Sequence, residues 1–280
     1  MTTRTIRRRT GRRHAPRSVR TAATVVLLVL IVVAFAQLIA PEPRDALSLA
    51  TRLAAPSATH WLGTDELGRD VLSRTIYSTQ TSVLIAACAT ILSGLIGAVM
   101  GTLAGWFGGT IDTMVSFVID IQSSIPAFIL ALGAVVFFGG SPIALVLVLA
   151  LEGWERIARI LRAEVMAARR SGYINAALNL GVPTGTVIRH HLLRALFAPL
   201  GVLLTLAFPA KILIESALSF LGLGIRPPQT SLGQMVGIGR EYLATAWWIA
   251  VVPGVVIFAM SVAISILGDH LQERVIGNAG

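Results

Sequence analysis

The sequence predicts an all-α integral membrane protein with six transmembrane helices and both termini in the cytoplasm. Three observations carry this. Of the 280 residues, 55% are apolar and 13% are charged, the latter about half the share of a soluble domain. The mean hydropathy is +0.77, and the apolar residues fall in runs near the ~20 residues that a helix needs to cross a ~30 Å hydrocarbon core. Two basic segments land on the same side of the resulting count, where cytoplasmic flanks belong. A water-soluble single domain of this size is excluded.

Residues 1–21 form a basic arm. Its first twenty residues hold Arg4, Arg7, Arg8, Arg9, Arg12, Arg13, Arg17 and Arg20 and no acid, so the arm supplies +8 of the net +9. Such a run could bind nucleic acid. An apolar run follows at once, so the arm is read as an orientation signal with no nucleic-acid partner. Residues 22–40 form the first span; at ~1.5 Å per residue they cover roughly 28 Å. A cleavable signal peptide ending near Ala34-Phe35-Ala36 is the rival reading, and the length of the run favours an uncleaved anchor.

Residues 41–78 are polar, carry four arginines against five acids, and suit the outer side. Residues 79–275 then hold a five-helix core. The second span covers 81–104, where Gly97, Gly101 and Gly105 share one face at four-residue spacing, with Gly94 one turn earlier; these glycines mark close helix packing. Cys88 lies in this run and is expected to be a buried packing residue. The third span, 113–138, is interrupted by Asp120, Gln122, Ser123, Ser124 and Pro126. Gly139-Gly140-Ser141-Pro142 reads as an outer turn. The fourth span starts at Pro142. Its apolar part ends at Leu151, too short to cross, so the helix is expected to continue through Glu152 and Trp154. It would leave the membrane as an amphipathic extension with Ile157, Ile160, Leu161 and Val165 on one face. From Glu155 to Arg194 there are seven arginines and two glutamates, which places a cytoplasmic loop at about 165–195. The fifth span is 196–218, an outer connection follows to 245, and the sixth span is 247–268.

Enzyme readings are weak. There is no G-x-x-x-x-G-K-[ST] phosphate loop and the only lysine is Lys211, so nucleotide binding in the usual P-loop manner is excluded. His14, His60, His190, His191 and His270 are scattered, and no metal site is expected. The informative stretch is Ser171 to Pro183. Ser171 fits an N-cap, Gly181 fits the left-handed residue past a helix end, and Pro183 stops simple continuation. A second helix from Thr186 to Leu196 would lead into the fifth span. Spacing alone leaves two readings open, a docking knob for a partner and an ordinary surface helix.

Tyr173, Asn175, Ala176, Ala177 and Gly181, followed by Ile188, His190 or His191 and Leu192, resemble the cytoplasmic coupling loop of binding-protein-dependent ABC importer permeases. Asn175 stands where that loop usually has Glu. His60-Trp61-Leu62-Gly63-Thr64-Asp65-Glu66-Leu67-Gly68-Arg69-Asp70, continuing to Arg74, resembles the outer motif of the dipeptide/oligopeptide/nickel permeases of the C type. Glu215 to Gly224 with Pro227-Pro228 resembles the end of their fifth span, and Leu232-Gly233 stands where Trp-Gly is usual. The resemblance covers residues ~20–275. It implies the type I ABC importer permease fold in a bacterial cell membrane, and a peptide solute, with a nickel complex or another small solute as the alternative. It further implies a homologous second permease, two ATP-binding subunits that hold ATP and Mg, and an extracytoplasmic solute-binding protein. This chain itself would bind no cofactor and would meet only these partners and membrane lipid.

A stand-alone secondary transporter would need its own coupling-ion site and preferably internal repeats; none is evident. Lys211 and Glu215 lie four residues apart on one helix face, either as a polar lining near the outer half of the translocation pathway or as a pair that neutralises itself against the companion permease, since a lone intramembrane charge is costly. Asp120 and Glu152 are further candidates for the translocation pathway or for helix-end packing.

Overall fold

The computed structural model describes residues 16–44, 46–138, 141–226 and 228–279. The arm before Pro16, Gly139-Gly140, Pro227 and the side chain of His191 lie outside the described residues.

The described chain is almost wholly helical. Helix α1 is Arg17–Ile39, and α2, at Val71–Phe107, is much longer than the expected second span. Helices α3 (Gly109–Ser124) and α4 (Ala127–Phe138) follow. Pro126 explains their separation: Ile125 is extended, as the residue before a proline prefers, and the two pieces bend by 88°. Next come α5 (Pro142–Ala150) and α6 (Trp154–Arg169). Two short helices, α7 (Gly172–Asn179) and α8 (Thr184–Val187), lead through a π-helical turn at Ile188–Leu192 into α9 (Leu193–Phe220). Helices α10 (Leu232–Gly239) and α11 (Trp248–Ala279) end the chain.

Among the described residues, α1, α2, α9 and α11 are each long and apolar enough to cross a membrane; the bent α3–α4 pair raises the number to five if it crosses as one unit. The expected fourth span is different. It does not continue through Glu152, because α5 stops at Ala150 after nine residues. Gly153 adopts φ +82°, a left-handed conformation that costs a side-chain-bearing residue about 1–2 kcal/mol. At ~1.5 Å per residue α5 is roughly 14 Å long, half a bilayer.

Cys88 is also corrected: it is exposed on the outer surface of α2 rather than buried. The most extensive helix–helix packing lies between α2 and α6. A Cβ on Gly97 would stand 2.8 Å from the Trp154 carbonyl, one on Gly101 2.6 Å from the Ala158 carbonyl, and one on Gly105 2.7 Å from the Arg162 carbonyl. Each is closer than Cβ atoms approach in folded proteins, so the two backbones touch along the glycine row. Gly94, one turn earlier, faces Leu204 of α9 instead.

Candidate functional site

Two broken helices meet inside the protein. Where α5 ends, the Leu149 carbonyl keeps only a 3.3 Å contact from the Glu152 N–H, and the last carbonyls of a helix otherwise need partners from outside it. Lys211 of α9 supplies the donors. Its side chain is fully buried, and Nζ donates to the Leu149 carbonyl at 2.7 Å and the Glu152 carbonyl at 2.6 Å. A cation at a helix C-terminus also meets the negative end of the helix dipole. The Glu152 carboxylate completes the set at 3.3 Å. From α3, Gln122 Nε2 donates to the Leu151 carbonyl at 2.8 Å. Together Lys211 and Gln122 stabilise the break that Gly153 makes possible.

This overturns the reading of Lys211 and Glu215 as a pair. Glu215 is fully buried too, but it accepts from the Ser219 hydroxyl at 2.8 Å and lies 3.4 Å from the Ser216 hydroxyl. Lys211 turns away from it, toward the end of α5. The residues share a helix face, yet the lysine has stronger acceptors in a neighbouring helix.

Beside the break lies a polar cavity of about 320 Å³, lined among others by Gln122, Ser123, Glu152, Glu155, Arg156 and Arg159. Arg159 reaches across from α6 to α3, 3.2 Å from the Asp120 carboxylate and 3.1 Å from the Ser123 hydroxyl. Both members of that ion pair are solvent-exposed, so it contributes little to stability. Glu152 lines this cavity, Asp120 meets it only through Arg159, and Glu215 lies apart, among buried serines of the core.

The loop between α6 and α9 forms a second unit. Ile174, Val187 and Leu192 are fully buried against Leu161 and Val165 of α6 and Trp106 of α2. Outside this small core, Tyr173, Asn175, Ala176 and Leu180 face outward. Helix α7 ends in a Schellman turn: the Val182 N–H donates to the Ala177 carbonyl at 3.1 Å and the Gly181 N–H to the Leu178 carbonyl at 3.0 Å. Gly181 has φ +80°, which glycine adopts without penalty. Ser171 precedes α7, but its hydroxyl donates back to the Ala168 carbonyl at 2.5 Å instead of capping the helix. The second loop helix begins at Thr184 and runs unbroken into α9. His190 is exposed, with Nδ1 3.3 Å from the Thr186 carbonyl.

Two contacts fasten this unit to the end of α2 and the start of α3. Arg162 binds Asp112 through two nitrogens, Nη2 at 2.6 Å from Oδ2, a two-point charge-assisted contact. Arg169 donates to the Trp106 carbonyl and lies 5.8 Å over its ring, a basic side chain at the C-terminal end of α2. Neither contact was apparent from sequence, because both join residues some 50 or more positions apart.

At the opposite end, the Gly63–Asp70 segment folds into a hydrogen-bonded knot. Gly63 and Gly68 have φ +73° and +71°. Asp65 is fully buried: Oδ1 accepts from the Leu67 and Arg69 N–H groups at 2.8 and 3.0 Å, and Oδ2 accepts from Arg69 Nε at 2.6 Å and from Arg74. Thr64 accepts from the Ala54 N–H at 2.8 Å, and its carbonyl accepts from Trp248 Nε1 at 3.1 Å. Asp70 caps α2, accepting from the Ser73 N–H at 2.7 Å. The knot ties the start of α2 to the start of α11.

Residues 97–277 match the family model described as "Binding-protein-dependent transport system inner membrane component". The chain is 33% identical over 260 residues to the "Probable D,D-dipeptide transport system permease protein" of Escherichia coli K12, covering 93% of this chain and 87% of that one. It is 35% identical to the "Dipeptide transport system permease protein" of Bacillus subtilis 168, over 90% of this chain and 79% of that one. Among solved structures, a chain of the inward-facing MetNI methionine ABC transporter shares the fold, with a TM-score of 0.50 and 22% identity, covering 69% of this chain and 94% of that one. The chain belongs to the family of binding-protein-dependent transport system inner membrane components, multi-pass proteins of the cell membrane.

Proposed function

We propose that this chain is one permease half of an ATP-driven importer of di- or oligopeptides. The observation that carries this reading is the likeness, over about nine-tenths of its length, to proteins named as dipeptide transport permeases. The polar cavity supports it: Glu152 and Glu155 offer negative charge, Arg156 and Arg159 positive charge, in one chamber. A zwitterionic peptide presents the matching ammonium and carboxylate groups.

In this reading a homologous second permease completes the pathway and a solute-binding protein delivers the peptide outside. Two ATPase subunits bind ATP and Mg in the cytoplasm, and each permease receives one of them on the outward face of its α7. Both ends of the chain lie in the cytoplasm, and α5 with α6 completes the fourth of six crossings. Closure of the ATPases pushes on α7. Ile174, Val187 and Leu192 pass the push to α6 and the base of α9, and Lys211 links α9 to the end of α5. The permease works mechanically; no side chain of its own performs chemistry.

The test is uptake of a radiolabelled dipeptide into proteoliposomes holding the complete transporter, with binding protein added on the side opposite the ATPases. ATP-dependent accumulation is expected, lost on omitting the binding protein. Accumulation without ATP, driven by an ion gradient, would overturn the reading in favour of a secondary transporter.

A further inference from the structure

A groove of about 400 Å³ runs between α1 and the rest of the protein. Every residue that lines it comes from α1, α2, α9 or α11, the four helices that qualify individually as membrane spans. The lining is apolar apart from Thr90 and Thr205, and the Thr90 and Thr205 hydroxyls donate to carbonyls of their own helices. Nothing in the groove therefore demands water or a polar ligand.

Its size and place fit a lipid chain. On α11 the lining runs from Met260 to Leu271, eleven residue steps or roughly 16 Å. That is about the ~15 Å depth of one leaflet. On α1 the lining is Val26, Val29 and Leu30, at the middle of the helix, and the end of α1 that begins at Arg17 lies roughly 9–14 Å away along the axis, within the length of an acyl chain. Arg17 and Arg20 stand there exposed and without an ion-pair partner among the described residues. Helix α11 brings Arg274, with Asp269 and Glu273, to the same end. The arm ahead of Arg17 adds six more arginines to the sequence and no acid.

We infer that this groove is a lipid site: it holds one acyl chain of an anionic phospholipid from the cytoplasmic leaflet, with the headgroup phosphate on Arg17 and Arg20. Apolar area selects the chain, and the arginines select the headgroup charge. The inference rests on the cytoplasmic placement of the start of α1 and is independent of the peptide assignment.

The assembled transporter, purified in detergent, is given a substoichiometric amount of phosphatidylglycerol carrying a photoreactive acyl chain. The expected labels concentrate on groove residues of α1, α2, α9 and α11. Labels spread evenly over the outward surfaces of those helices would overturn the site. Native mass spectrometry of the same complex, with equal phosphatidylglycerol and phosphatidylcholine, is expected to show at least about threefold preferential retention of the anionic lipid. The double variant Arg17→Gln, Arg20→Gln changes only exposed side chains and is expected to keep a bound lipid while losing the preference. Equal retention by the unaltered chain, or an undiminished preference in the variant, would contradict the headgroup assignment.

Discussion

Lys211 satisfies at one atom what a helix end otherwise leaves open. Its ammonium serves two carbonyls and one carboxylate, and the carbonyls are the nearer acceptors. Lys211→Met leaves the Glu152 carbonyl without this donor and the Leu149 carbonyl with only the 3.3 Å contact from the Glu152 N–H, at about 1–3 kcal/mol for an unsatisfied buried group. A clear fall in the thermal midpoint of the detergent-purified transporter is expected. Glu152→Gln keeps both carbonyl contacts and should lower the midpoint much less. A double-mutant cycle should show coupling between positions 211 and 152, and near-additivity between 211 and 215. The reverse pattern would restore the Lys211–Glu215 pairing. Four-residue spacing reports which side chains share a face, but not what the next helix brings to it. Glu152 lies 59 positions away, and only the stop at Gly153 turns its carbonyl toward α9.

At the scale of elements, the glycine row and the coupling loop differ in what replacement does. At Gly101 the obstacle is backbone, since a Cβ would stand 2.6 Å from the Ala158 carbonyl, and no rotamer change relieves it. Gly101→Leu should separate α2 from α6, seen as loss of assembled complex on size-exclusion chromatography. At Gly181 a Cβ meets nothing within 4 Å, so the penalty is conformational, about 1–2 kcal/mol. Gly181→Arg should leave the chain in the membrane but reduce co-purification of the ATPase subunits; undiminished co-purification would show that α7 is not their docking point. In the outer knot, Asp65→Ala removes an acceptor from Arg69 and Arg74 and leaves Arg74 buried and unpaired. A cost of about 3–5 kcal/mol is expected from such a break, with earlier unfolding on heating.

Helices α1, α2, α9 and α11 are legible in the sequence because each contains an apolar stretch long enough to cross a membrane, although the polar first turns of α2, before residue 81, are not. The fourth run is not, because a broken span and a continuous amphipathic helix share the same composition, and the difference resides in one φ angle at Gly153. The knot around Asp65 is legible as a motif, but its role as a tie between α2 and α11 depends on Trp248, 184 positions beyond Thr64.

For the whole molecule, coupling of a cytoplasmic ATPase to a membrane pathway requires the outward face of α7 to lie in the cytoplasm and against a partner. The most direct measurement uses a Cys88→Ser, Ala176→Cys chain expressed with its partners. A membrane-impermeant maleimide should leave intact spheroplasts unlabelled at position 176 and label it after lysis. A bifunctional thiol reagent should then join position 176 to an ATPase subunit. Labelling of intact spheroplasts, or no cross-link to an ATPase subunit in the assembled transporter, would contradict the account.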